Sequence, residues 1–230
     1  MNTLDKDTYP LTTSEMNSVL IAVVVFNPSE EQMNNLESLG GIGFEFVIFQ
    51  NSALTADQSG DYEILGDGEN VGVAAAYNRI FGHATQRQKP YVLLLDQDTD
   101  YTDSERFKLN VRSLLTEFSC NARLAAVGMN YSVNQISDQI TPYILTSGTL
   151  YKTSAVIAVQ GFREELFIDE VEIQTHMVLM INGYAVLSKF DYKMDHTVGD
   201  PLELKIGIVK IRTTNHAPIR RYYMTRNRLN

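Results

Sequence analysis

Three carboxylates, Asp96, Asp98 and Asp100, occupy five consecutive positions directly after the apolar run "YVLLL", Tyr91 to Leu95. Like charges that close repel and raise one another's pKa unless a cation holds them, so this segment is expected to face something positive. A calcium loop of the EF-hand type needs a Gly at its sixth position and a Glu at its twelfth. Counted from Asp96, those positions hold Tyr101 and Phe107, and that reading fails. Two uses of a D-x-D at a strand end remain. In phosphatases of the haloacid dehalogenase type the first Asp is a nucleophile toward phosphate, usually on the first strand of the domain. Alternatively, a carboxylate holds a divalent metal against a diphosphate.

The composition limits the partners. A formal net charge of -9 over 230 residues argues against a nucleic-acid binder, which needs clustered Lys and Arg. It favours an anionic ligand bridged by a metal over one held by basic residues alone. A single cysteine, Cys120, excludes an internal disulfide, fits a reducing compartment, and is expected to be a small buried hydrophobe. No stretch approaches the roughly 20 apolar residues of a membrane span, and the start lacks the pattern of a secretory signal, so a cytoplasmic protein is expected.

The elements that must position the aspartates follow from periodicity. Residues 1–17 are polar and aperiodic, and read as a flexible arm ahead of a single domain over 18–230. Val19 to Phe26 is a continuous β-branched run, read as a buried parallel strand. Asn27 is placed to cap the helix that follows, with Pro28 in its first turn. Phe44 to Phe49 reads as a second strand, and a helix from Val71 places Val73, Ala76, Tyr77, Ile80 and Ala84 on one face. Tyr91 to Leu95 is the strand that delivers the acids. Phe107, Val111, Leu114, Leu115 and Phe118 mark a further amphipathic helix, and "LAAVGM" another strand. Strands and helices alternate, so the first 130 residues read as a doubly wound parallel sheet. Ligands in such sheets bind beyond the carboxyl ends of the strands, where Asn27, Asn51 and Asp96 to Asp98 would gather. Beyond that point, "ILTSGTLYK" reads as a strand pair or a strand with a turn, the segment from Glu170 as a helix ending near Gly183, and Leu202 to Thr213 as one alternating strand.

The order of "VVVFN", "NVGVAAAYN", "LLLDQD", "TSGTLYK", "GFREELFIDEVEIQ", "NGY", "MDHTVGD" and "RRYYMTRN" resembles the inverting GT-A glycosyltransferases, within them the rhamnosyltransferase-like branch of the family-two type. The resemblance covers Val19 to Asn230. It implies an α/β fold of GT-A type, a Rossmann-like mostly parallel sheet flanked by helices. It also implies a nucleotide-sugar donor such as dTDP-rhamnose, a glycan or lipid-linked acceptor, and a divalent metal, Mn or Mg.

Carried over by motif, the resemblance implies that Phe26 and Asn27 border the nucleotide, with Gln50 and Asn51 at the base. Asn70, Gly72, Ala75 and Asn78 match a stretch beside the donor, where small residues let a helix start approach the nucleotide. Asp96 is implied to face the ribose and Asp98 to bind the metal, joined by His196 of "MDHTVGD". Ser147 and Gly148 would line the sugar pocket. Inversion needs an acceptor-side base. The family pattern F-I-D-x-V-D-x-E falls on Asp169, Glu172 and Gln174, with Glu172 as the base and Asp169 as the accompanying acid. His83, His176 and His216 read as structural.

This chain departs from the pattern at Gln50, where relatives carry Asp, at Glu172 in place of Asp, at Gln174 in place of Glu, and at Val178 in place of Arg. These changes motivate an alternative, a weakly active or inactive relative that binds a nucleotide sugar or a protein partner. The phosphatase is a lesser alternative. The basic, aromatic end "APIRRYYMTRNRLN", with the C-terminal extension of relatives absent, raises peripheral contact with the inner face of a membrane through Arg220, Arg221, Arg226 and Arg228.

Overall fold

The computed structural model describes residues 10–55, 62–99, 103–129, 135–192 and 217–229, together with the backbone of Leu202–Ile206 and Val209–Thr213. Residues 10–17, within the stretch read as a flexible arm, pack against the domain. Helix α1 (Thr13–Ser18) is closed by a capping box in which Thr12 and Glu15 bond reciprocally, satisfying donors a short helix otherwise leaves open. Leu11 and Met16 lean on the core, Lys89 donates to the Asn17 carbonyl, and Arg112 to that of Pro10.

Strand β1 (Val19–Val25) divides that core. Val19, Ile21, Val23 and Val25 pack into one layer and Leu20 and Ala22 into the other, as the two-residue period of a strand dictates. Helix α2 (Glu30–Gly40) is capped by Ser29, in a capping box with Gln32, and not by Asn27. Asn27 has a φ of 45° and stays in the turn, so Pro28 also precedes the helix. Strands β2 (Glu45–Gln50) and β3 (Glu63–Leu65) follow, then α3 (Gly72–Gln86), β4 (Tyr91–Asp96), α4 (Ser104–Cys120) and β5 (Leu124–Gly128). Cys120 is exposed, because it lies off the stripe of Phe107, Val111, Leu114 and Phe118 that α4 buries. The remainder comprises β6 (Gln139–Ile140), β7 (Thr149–Lys152), α5 (Thr153–Ala158), α6 (Val171–Ile181), β8 (Ala185–Ser188), β9 (Leu202–Ile206), β10 (Val209–Thr213) and α7 (Pro218–Leu229).

The eight-stranded sheet runs β3-β2-β1-β4-β7-β5-β8-β6. Its first four strands are mutually parallel, as expected, and the order reverses between β1 and β4, which pair directly with Val24 opposite Asp96. Strand β5 keeps the direction of the first four, as expected, but it does not pair with β4. Strand β7 is inserted antiparallel between β4 and β5, and its buried Thr149, Leu150 and Tyr151 make it fit for a central position. Leu202 to Thr213 is a hairpin of β9 and β10, with Val209 opposite Ile206. Alternation persists through both strands, so periodicity alone does not show the reversal.

Helices α2 and α4 cover one face, and α3, α5 and α6 the other. In the second layer, His176 of α6 is fully buried and stacks on Tyr151. Its Nδ1 lies 2.8 Å from the Pro142 carbonyl, which can only accept, so Nδ1 carries the proton and Nε2 accepts from the Tyr151 hydroxyl at 2.8 Å. Desolvation lowers its pKa from 6.5 to about 4, against the opposing effect of the Pro142 carbonyl. From pH 6.5 down to about 4 the unfolded chain therefore binds a proton here that the folded chain refuses. Stability is lost as the pH falls through that window, by about 3 kcal/mol in full. In urea titrations at pH 7 and pH 4.5, the stability difference between the native chain and His176→Gln should shrink by about 2–3 kcal/mol on acidification. An unchanged difference would mean that the imidazole titrates normally.

Candidate active site

The site forms where the order of strands reverses, beyond the carboxyl ends of β1 and β4. Gln97, the residue between the two aspartates, joins these ends. Its Oε1 accepts from the Phe26 N–H at 2.7 Å, and its Nε2 donates to the Phe26 carbonyl and to Gln32 Oε1. Asn27 donates its backbone N–H to Ser52 Oγ. Asn51 is buried: its N–H donates to the Val25 carbonyl, and its Oδ1 accepts from Val71 at the entrance to α3. Gln50 donates through Nε2 to the Gly66 carbonyl. Phe26 is 48% exposed.

The turn carrying the aspartates is fastened from beneath. The Asp96 N–H donates to Ser147 Oγ at 3.0 Å, and that oxygen lies 2.8 Å from Thr99 Oγ1 in a buried pair. The Thr99 N–H returns to the Asp96 carbonyl, and the Gly148 N–H donates to that of Leu94. Ser147 and Gly148 thus serve the backbone of the D-x-D turn. Asp98 is exposed and Asp96 half-buried. Asp100 and His196 lie outside the described residues.

Glu172 sits in the first turn of α6, also half-buried. Burial, then the charges of Asp96 and Glu172, push the Tyr77 phenol well above its ordinary pKa, while a bond to Thr146 opposes them. Burial and then Glu172 raise the buried Tyr151 as well. The fields of the strand-end acid and the helix acid therefore meet at one buried hydroxyl, Tyr77.

The loop leading into α6 is strained. Phe167, Asp169 and Glu170 all have positive φ, at 66°, 64° and 62°. Each such residue costs about 1–3 kcal/mol and survives only where its surroundings impose it. Here they do: the Phe167 carbonyl accepts from the N–H groups of Val73, at 2.7 Å, and Ala74, at 3.5 Å. This occupies the start of α3, where the resemblance had implied that a nucleotide approaches. Gly72 makes the approach possible, since a Cβ there would lie 2.6 Å from the Phe167 ring and 2.7 Å from its carbonyl oxygen. The neighbouring Asn70 accepts from the Gly72 N–H. Asn78 pairs its amide with both the N–H and the carbonyl of Phe162 and with Glu164, bracing the same loop from α3.

Helix α7 holds the loop from outside. Arg220 binds Asp169 at 3.1 Å, Arg228 binds Glu170 at 2.7 Å, and Arg226 donates to the Leu166 and Glu165 carbonyls. These three arginines, raised above as candidates for membrane contact, bind partners within the chain. Asp169, only 13% exposed at its side chain, is held as a salt-bridge partner.

No protein-family model matches the chain. It is 27% identical to the dTDP-rhamnosyl transferase RfbF of Shigella flexneri over 242 aligned residues, covering 92% of this chain and 79% of that protein. Among solved structures it is similar to S. aureus TarS 1-349, at 16% identity and a TM-score of 0.52, over 76% of this chain and 59% of that one. It is also similar to GalNAc-T7 with UDP, GalNAc and Mn2+, at 9% identity and a TM-score of 0.54, over 74% of this chain and 42% of that one. The fold is GT-A. The chain spans less than two thirds of the length of either solved structure.

The GT-A topology disposes of the phosphatase alternative, since the D-x-D strand is the fourth in the chain and borders an antiparallel strand. The donor set of the GT-A turn, exposed carboxylate oxygen on Asp98 with Asp96 beside it, suits a hard divalent cation such as Mg or Mn. Among the described residues, the group of three acids and histidines with ligand spacing is Glu45, Glu63 and His83, away from the D-x-D turn. It lies toward the amino ends of the strands, and Arg87 and Lys89 already bind Glu45 at 2.7 and 2.8 Å. It cannot serve a diphosphate at the opposite edge.

Sequence reasoning passed over Gln97, Tyr77 as a site residue, and the bracing role of α7. The "Q" inside "DQD" was a visible signal for the first. For the others, only packing in three dimensions joins the partners. Gly72→Ala should cost about 2–4 kcal/mol in chemical denaturation, from strain at positive φ and the clash with Phe167. A loss below about 1 kcal/mol would mean that Phe167 yields cheaply.

Proposed function

We propose that the chain is a metal-dependent inverting glycosyltransferase that moves a deoxysugar, rhamnose from dTDP-rhamnose, onto a polysaccharide or lipid-linked glycan. The observation that carries the reading is the D-x-D turn at the carboxyl end of β4, beside β1 where the strand order reverses, within a GT-A fold. The charges of Asp96 and Glu172 both act on the buried Tyr77 hydroxyl, which supports a donor-side and an acceptor-side acid belonging to one site. The choice of dTDP-rhamnose rests on the similarity to RfbF, and the metal on the D-x-D chemistry together with the Mn2+ bound by GalNAc-T7.

In this reading Glu172 accepts the proton of the acceptor hydroxyl as its oxygen attacks the anomeric carbon from the face opposite the leaving group. The bond from that carbon to the diphosphate oxygen breaks, and the configuration inverts. Asp98, with His196, would hold the metal, and Asp96 would contact the ribose. When bound, a divalent cation neutralises the charge developing on the departing diphosphate. Asp169, already ion-paired with Arg220, holds the loop while Glu172 acts as the base. Phe26, Asn27 and the Gln50–Asn51 pair would line the nucleotide. Among the described residues no helix is long and apolar enough to cross a membrane, and a cytoplasmic donor pool is consistent with this reading.

Calorimetry with dTDP-rhamnose, with Mn2+ or Mg2+ present and then chelated, tests the assignment beside UDP- and GDP-sugars. Binding of the dTDP donor should require metal in the native chain and be lost in Asp98→Ala. Glu172→Gln should keep donor affinity while turnover falls about 10²- to 10⁴-fold. Failure of every donor to bind would instead favour the inactive, partner-binding relative.

A further inference from the structure

Helix α7 has a use that a basic, aromatic segment does not announce. One of its faces carries Arg220, Tyr223 and Asn227, at the three- and four-residue spacing of neighbours on a helix. All three touch the strained loop. Tyr223 stacks on Phe167 at 4.9 Å and 19°, with the Arg226 guanidinium 4.7 Å above the Tyr223 ring. Asn227, 7% exposed, directs its Nδ2 at three carbonyls, those of Leu166 at 2.9 Å, Ile168 at 2.8 Å and Asp169 at 2.8 Å. Arg226 Nε donates to the Asn227 Oδ1 at 2.9 Å, which fixes the orientation of that amide.

These carbonyls belong to the segment whose left-handed residues, Asp169 and Glu170, launch α6. Left-handed conformations of non-glycine residues do not persist unless their backbone groups are held. The amide of Asn227 holds them in place of the hydrogen bonds a regular turn would make. Glu172 follows two residues after Glu170, so the direction in which α6 starts decides where its carboxylate lies.

We propose that Asn227 is a positioning residue, and α7 the latch that presents Glu172 to the site by locking the Leu166–Glu170 turn. The inference rests on Glu172 being the base, and it predicts a division of effects. The nucleotide side, built on β1 and β4, is independent of the latch, whereas proton removal depends on it. Displacing a reacting group by about 1 Å costs on the order of 10²-fold in rate.

The experiment compares the full chain with Asn227→Asp, which keeps size but turns an oxygen toward the carbonyls, and with Arg220→Gln, which removes only the exposed partner of Asp169. Three quantities are read: dTDP affinity with Mn2+, turnover, and hydrogen exchange of the peptides spanning 166–172 and 72–76. In Asn227→Asp, dTDP affinity should stay within about twofold of the native value while turnover falls about 10²-fold. Exchange should quicken in those two peptides and not across β1 or β4. Arg220→Gln should show the same pattern more weakly, and it carries the test if Asn227→Asp fails to fold. Faster exchange with unchanged turnover overturns the latch, as does a loss of nucleotide affinity in step with turnover. Glu172→Gln run in parallel separates the two assignments. Full turnover there overturns the base reading, whereas a large loss there with none in Asn227→Asp overturns the latch alone.

Discussion

The carbonyl of Phe167, seated on the first N–H groups of α3, is the contact on which the site depends. A helix start leaves unpaired donors and a partial positive charge, and is a natural berth for a phosphate. Here the protein fills that berth with its own backbone, and Gly72 is the glycine that lets it enter. An anionic donor must then find its positive partner elsewhere. In the proposed reading, the exposed Asp98 at the carboxyl end of β4 would supply one through a bound cation. The internal capping of α3 and the aspartate cluster are thus two sides of one arrangement.

The same contact ties the two halves of the site together. Strands β1 and β4 bring Phe26 and the D-x-D turn side by side, Gln97 fixes their relative register, and the Ser147–Thr99 pair anchors the turn to the strand beyond. Loop 163–170 reaches across from the other half and is held at α3 by Asn78 and by Phe167. Tyr77, one turn above that junction on α3, feels the acids of both halves. Buried polar contacts of this kind rigidify a site only when they are satisfied, and the hydrogen bonds of Asn51, Asn78, Ser147 and Thr99 meet that condition.

The sequence was most legible where one period ran long. The buried runs of β1, β2 and β4 and the stripe of α4 required only alternation or helical spacing. It was least legible where a short element gains its place from distant partners. Strand β7 looks like any four-residue apolar piece until β4 and β5 enclose it, and α1 needed only one capping box to order a segment that reads as polar arm. At the site, motif order names positions and not what they touch. Asn78 matched a donor-side pattern, yet its amide is spent on Phe162; Gly72 matched a close-approach glycine, yet the group that approaches is Phe167. No local feature of "RRYYMTRN" reveals that its arginines face acids more than fifty residues earlier in the chain.

Charge balance explains why those arginines are there. Asp169, Glu170 and Glu172 fall within four consecutive positions of a chain whose formal net charge is -9, and like charges so close repel. Arg220 and Arg228 bind Asp169 and Glu170, removing two of these charges from the mutual repulsion. Glu172 remains as the acid of that motif whose field reaches Tyr77 and Tyr151 in the interior. Pairing its two neighbours lessens the repulsion at Glu172, the residue that takes the acceptor proton in the proposed reading. A local excess of arginine on an acidic protein is, on this argument, a consequence of concentrating carboxylates in one strained loop and the helix it launches.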